Sequence, residues 1–224
     1  MTLTRIPGVV ALPVRTRVVR VGDDLAALVA AAVHGIARTG DVIAISETAV
    51  AIAQGEFVVA EHIRPSRLAY TLSRRAGAMA TVSQPESLQL VIDAVGPWRV
   101  FSAALLNALG KIVGKRGIFY ERLGEAIAAI DGYTGTMPPY ERAIVLAPRD
   151  PDGVSETIAA ATGTGVAVVD ANDLQKAKVL GASRGVDRTL VERALLDNPH
   201  GNGDEQTPLV VLKWRASGAN PLQC

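Results

Sequence analysis

Three short apolar runs in this chain end in oxygen-bearing side chains. Val42–Ser46 is followed by Glu47 and Thr48, Ala126–Ile130 runs into Asp131, and Val166–Val169 runs into Asp170, Ala171, Asn172 and Asp173. Carboxylate, amide and hydroxyl oxygens are the donors that magnesium and manganese prefer. If the runs are strands converging on one sheet edge, carboxylates distant in sequence meet there. The competing reading is local: each polar group caps the turn or helix that follows it. A fourth polar stretch, Gly201–Gln206, precedes the last apolar run. Gly201 and Gly203 would let backbone N–H groups approach a phosphate closely, and Asp204 and Glu205 are further candidate metal ligands. A solvated surface turn explains this stretch equally well.

Other chemistries are poorly served. The stretch ATGTG at 161–165 follows a helix and precedes a strand, the reverse of a phosphate loop, so it reads as a helix C-cap. No GxxxxGK[ST] or GxGxxG motif occurs. His34, His62 and His200 lack ligand spacing, and His34 in its apolar helix reads as a core residue. The single cysteine, Cys224, excludes a disulfide framework and a thiolate metal cage.

These side chains need a scaffold. Across 224 residues, 49% are hydrophobic but only 4% aromatic, so the core must be built from Ala, Val, Ile and Leu. Twenty-three Lys and Arg against 22 Asp and Glu leave a net charge of +1, too little field to gather nucleic acid. The apolar stretches near Leu25–Val33 and Pro97–Val113 fall short of the roughly 20 residues of a membrane span. MTLTRIPGVVALPVRTRVVR is broken by Pro and Arg and is no secretory signal. A soluble protein of the reducing cytoplasm is expected.

Val9–Val21 reads as a strand, with Pro13 marking an edge or bend. Gly22-Asp23-Asp24 opens a helix that is apolar all round and therefore largely buried. Val42–Ser46 is a strand, Ala49–Gly55 fits either helix or strand, and Phe57–Ile63 reads as a strand. Ser66 caps a helix to about Met79, Pro85-Glu86 starts one to about Val95, and Pro97–Val113 forms another. That last stretch, with Trp98, Phe101, Leu105 and Leu109 beside basic residues, would lie on a membrane surface or, preferably, pack on the core. Gly117–Tyr120 and Ala126–Ile130 read as a hairpin. Ala143–Leu146 is a strand, Asp150-Pro151-Asp152 starts a helix to Ala161, Val166–Val169 is a strand, Val186–Leu196 a helix and Pro208–Trp214 a last strand. Helices and strands mix without strict alternation, which predicts an α+β fold.

In this order and spacing, GDVIAISETAVAIAQG (Gly40–Gly55), AAIDG (Ala128–Gly132), LAPRDPDGVSETI (Leu146–Ile158), GVAVVDAND (Gly165–Asp173) and GDEQTPLVVLK (Gly203–Lys213) resemble the coenzyme F-420-0:gamma-glutamyl ligase family, from about Val10 to Trp214. The resemblance implies a gamma-glutamyl-ligase-like mixed sheet with flanking helices in one ligase-like unit, 1–224, divisible into 1–100 and 101–224. It also implies an interwoven homodimer. The implied activity joins L-glutamate to a deazaflavin F-420 precursor through an amide, with GTP and magnesium or manganese as cofactors. Asp131 and Asp170 match the family's metal-binding, catalytic aspartates, and Glu205 would join them. Ser46, Glu47 and Thr48 stand where the family contacts nucleotide, and Gly201, Gly203 and Gln206 belong to the matching glycine-rich loop. Asn172 and Asp173 would shape the acceptor site.

Several positions depart from the family's pattern. Ile52 replaces a lysine near the nucleotide. Ala171-Asn172-Asp173-Leu174 replaces a T-x-G-R segment, and Gly132-Tyr133-Thr134 lacks an asparagine after Asp131. Leu105–Tyr120 is an added segment. Lys176, Lys178, Arg15 and Arg17 are candidates to restore the lost charge. The departures keep two alternatives open: a non-catalytic binding or regulatory protein on the same fold, and a ligase acting on a different small acid.

Overall fold

The computed structural model describes residues 8–75, 81–112, 114–115, 118–128, 130–131, 138–172, 176–201 and 206–214. The chain divides into two compact units. One comprises Met1–Glu56 and Pro148–Cys224, and the other, Phe57–Ala147, is inserted between those halves, so the division does not fall near residue 100.

In the first unit, β1 (Val9–Val14), β2 (Val42–Ser46), β6 (Gly165–Asn172), β7 (Lys176–Ala182) and β8 (Leu209–Trp214) form a mixed sheet of order β1-β8-β2-β6-β7. β2 and β6 run parallel, and the other neighbours are antiparallel. The central strands are buried on both faces, which explains their unbroken apolar sequences. Val42, Ala44, Ala167, Val169, Val210 and Leu212 pack against Val191 and Leu195, placing α8 (Arg188–Ala194) on one face. By alternation, Ile43, Ile45, Val166, Val168, Leu209 and Val211 lie on the other, and all are buried. α7 (Pro151–Thr162) lies against β6 and β7, with α1 (Leu25–Val33) beside it.

A bulge sets which part of β7 meets α7. The register steps from Val169↔Val179 to Val168↔Gly181, leaving Leu180 as the extra residue. Gly181 therefore shares a face with Val168, and its Cα comes against the backbone of Pro151 and Asp152. Pro13 sits on edge strand β1, as expected, and β7 forms the opposite edge.

The inserted unit holds α3 (Arg67–Ser73), α4 (Pro85–Val95), α5 (Pro97–Ile112), α6 (Ile118–Ala128) and a sheet of order β3-β5-β4, with strands Phe57–Val59, Ala143–Leu146 and Ile130–Asp131. Its core gathers Leu88, Val91, Ile92, Val100, Leu123 and Ile144.

α2 (Glu47–Gln54), ending on left-handed Gly55, resolves the ambiguous stretch as helix. Asp24, Ser66 and Asp150 cap α1, α3 and α7 through their side chains, and Gly163 ends α7 in the left-handed conformation. The strand expected over Phe57–Ile63 stops at Val59. The helix expected to reach Met79 ends at Ser73, and residues 76–80 lie outside the described set.

The expected hairpin is not formed: its two strands fall largely within α6. Phe119, Leu123 and Ile127 recur every fourth residue and all face the core, so helical burial overrides the β-preference of the aromatics. α1 is less buried than its composition suggests. Val29 and Val33 are inside, Ala27 and Ala31 lie outside, and exposed alanine costs a helix little. His34 is exposed at the end of α1, not a core residue. α5 packs Val100 and Ala103 inward but leaves Phe101, Leu105, Leu109 and 82%-exposed Trp98 at the surface.

Gly124, inside α6, has open space where a Cβ would stand. Gly124→Ala is expected to raise stability by about 0.5–1 kcal/mol, because the change reduces the freedom of the unfolded chain without a clash. Urea titration of both proteins checks it.

Candidate active site

One end of the five-stranded sheet brings together Ser46, Asp170 and Gln206 of the sequence-predicted residues. β2 finishes at Ser46, paired with Val169, so Asp170 is the next residue on the adjacent strand. β8 enters from the opposite direction, and the Ser46 N–H donates to the Pro208 carbonyl at 2.9 Å. β1 leaves at Val14, opposite Leu209, and the Thr16 N–H donates to the Gln206 carbonyl at 3.1 Å. Asp170 pairs with Lys178 and Asn172 with Lys176. Ser46, Asp170, Gln206, Thr16 and Lys178 are thus brought to one edge from five strands or strand ends.

Ser46 precedes α2 but makes no side-chain capping bond to it, so the capping reading does not account for this hydroxyl. Glu47 lies in the first turn of α2, where the helix dipole favours a carboxylate, and Thr48 follows it half-buried. Asp170 caps no helix; it lies inside β6, which continues to Asn172. Desolvation pushes the Asp170 carboxyl above its ordinary range, although the residue as a whole is exposed, and the Lys178 charge opposes that shift. A carboxylate that is costly to charge gains from a cation beside it. Gly201 and Gln206 both adopt left-handed backbone, at φ 75° and 54°, flanking the polar loop.

Asp131 ends β4 in the three-stranded sheet of the inserted unit, so the three strand ends do not belong to one sheet. Asp173, Gly203 and Glu205 lie outside the described residues, as do the side chains of Asp131 and Asn172. Among the described residues no three His, Cys, Asp or Glu side chains form a metal cluster.

The candidates for the lost lysine differ in what they can do. Ile52 is buried within α2. Arg17 is held by Asp23 through Nη1 and Nη2 at 2.6 and 2.9 Å, and also donates to the Val18 carbonyl. Lys178 faces Asp170 across the β6–β7 pair, a partnership that register alone reveals. Arg15, Thr16 and Arg17 also line an open groove of about 480 Å³, with Asp24, Leu28 and Ala31 of the α1 region opposite.

The Arg17 guanidinium and the Arg20 N–H hold the Asp23 carboxyl down at about 2, against an ordinary value of 3.8. A depressed carboxyl stabilises the fold above its unfolded value, and that contribution is lost as pH falls from 3.8 to about 2. Melting temperatures between pH 5 and 2 are expected to fall less steeply for Asp23→Asn than for the parent.

A family model described as F420-0:Gamma-glutamyl ligase matches residues 13–173, most of the chain. The chain belongs to this family. The coenzyme F420:L-glutamate ligase of Methanopyrus kandleri is 33% identical over 136 residues, which are 61% of this chain and 46% of that protein. The chain therefore spans about half the length of this curated relative. Ser46, Glu47, Thr48, Asp131, Asp170, Asn172 and Asp173 fall within the matched range, whereas Gly201, Gly203, Glu205 and Gln206 fall beyond it. No helix described is long and apolar enough to cross a membrane.

Proposed function

We propose that this chain is an amide-forming ligase that joins L-glutamate to a small carboxylate, a deazaflavin F-420 precursor or a related acid, using a nucleoside triphosphate. The juxtaposition of Ser46, Asp170 and Gln206 at one sheet edge, in a member of this family, carries the reading. In the reaction, the γ-phosphoryl group passes to a carboxylate oxygen of the acceptor, giving an acyl phosphate and a nucleoside diphosphate. The glutamate amine attacks the acyl carbon, the C–O bond to phosphate breaks, inorganic phosphate leaves and the amine gives up a proton.

The donor set at the edge suits magnesium or manganese: the Asp170 carboxylate and the Ser46 and Thr48 hydroxyls are oxygen donors, with water completing the shell. Asp131 is proposed as the second carboxylate and Glu205 as a further one. Such an ion supplies charge neutralisation for phosphoryl transfer. Ser46, Glu47, Thr48, Gly201, Gly203 and Gln206 bind GTP in this reading, Asn172 and Asp173 shape the acceptor site, and the enzyme works as a cytoplasmic homodimer.

Calorimetry with GTP and ATP, with and without manganese, tests the reading, followed by mass spectrometry of products from glutamate and candidate acids. Metal-dependent GTP binding and an amide product are expected. Absence of metal-dependent nucleotide binding would sink the proposal. Two observations favour a second reading, a non-catalytic binding protein: Ile52 is buried where the resemblance places a lysine, and Arg17 is held by Asp23. That reading predicts ligand binding without nucleotide turnover.

A further inference from the structure

His200 takes no part in the chemistry proposed above, yet it is buried at the base of the polar loop. Its Nδ1 lies 3.1 Å from the Thr207 carbonyl oxygen, and Thr207 Oγ1 donates back to the His200 carbonyl at 2.5 Å. A carbonyl only accepts, so Nδ1 carries the proton and Nε2 keeps a lone pair. Nε2 is buried and has no hydrogen-bond partner among the described residues. Burial pushes the imidazole down to about 4, against the pull of the Thr207 carbonyl, so the ring is neutral near pH 7.

The two reciprocal bonds fasten the chain before the loop to the chain after it. On either side of Thr207, the Gln206 carbonyl accepts from the Thr16 N–H and the Pro208 carbonyl accepts from the Ser46 N–H. Both residues belong to the sheet edge described above. Leaving a buried acceptor unpaired is costly, and a purely structural turn would favour an apolar side chain or a fully paired one.

We propose that His200 is a positioning residue: bonded reciprocally to Thr207, it fixes Gln206 and Pro208 against Thr16 and Ser46 and so sets the geometry in which the sheet edge meets nucleotide. The proposal rests on the reading of that edge as the nucleotide site.

Variants of the full chain test it by calorimetry with manganese and GTP. An Asn side-chain amide stands near the place of Nδ1 and keeps the donor to Thr207, whereas Ala removes it. His200→Ala is expected to weaken GTP binding about tenfold and His200→Asn by less than about threefold. Equal weakening by both, or unchanged binding in His200→Ala, overturns the proposal. If His200→Ala does not fold, Thr207→Val, which removes the return bond, is expected to weaken binding severalfold, and unchanged binding overturns the proposal. If the parent binds no nucleotide, the ligase reading fails, and hydrogen exchange of the Ser46 amide in parent and Thr207→Val decides the inference. Faster exchange in the variant supports it, and equal exchange overturns it.

Discussion

Asp170→Asn is expected to lower manganese-dependent GTP affinity by roughly 10- to 100-fold, the range for losing a charged ligand interaction of about 1.5–3 kcal/mol, while leaving the fold intact. Intact folding follows from the electrostatics of the site. Desolvation raises the Asp170 carboxyl, so its ionised form is disfavoured in the folded protein. A carboxyl raised on folding makes the protein less stable as pH climbs through the interval between the unfolded and folded values. At neutral pH the change to a neutral isostere therefore relieves a cost, offset only by the lost attraction to Lys178. The melting temperature should hold or rise slightly. A variant that binds manganese and GTP as the parent does would remove Asp170 from the site.

The elements legible in the sequence are those whose local chemistry agrees with their surroundings. VIAIS is apolar throughout because β2 is buried on both faces, and Pro85-Glu86 and Asp150-Pro151-Asp152 start α4 and α7 with residues suited to a first turn. β7 escapes prediction because KAKVLGA has the composition of an exposed edge, with lysines that discourage further pairing and a glycine where α7 comes close. α6 escapes because its aromatics favour strand locally while its four-residue spacing serves the core.

The candidate site was legible as a set of strand ends but not as a place. Period and composition identify Ser46 and Asp170 as polar ends of buried runs, yet only pairing shows that their strands are parallel neighbours. The same information assigns Asp131 to a strand of the other sheet. Charge is similarly illegible: Arg17 and Lys178 look alike as substitutes for a missing lysine, but Arg17 is spent on Asp23 and Lys178 faces Asp170.

Gly181→Val is expected to destabilise the protein by about 3 kcal/mol, the upper part of the usual range for overpacking. A Cβ at this position would fall well inside van der Waals contact with the Pro151 carbonyl group and the Asp152 nitrogen. Those are backbone atoms of the first turn of α7, and no side-chain rotation can move them. The junction is also tied by hydrogen bonds, since Asp152 Oδ1 accepts from the Ala182 N–H at 2.8 Å and from Arg188 Nη2 at 2.5 Å. To admit valine, β7 must move away from α7 or α7 must shift from the sheet, and either motion strains these bonds. For a domain of this size the loss corresponds to a fall in melting temperature of roughly 6–12 °C. A variant melting within about 2 °C of the parent would show that β7 and α7 do not meet at Gly181. The effect should reach the sheet edge, because Lys178 faces Asp170 on the same strand, three residues before Gly181. Folded Gly181→Val is therefore expected to bind manganese and GTP more weakly than the parent, whereas Gly124→Ala, in the inserted unit, should not.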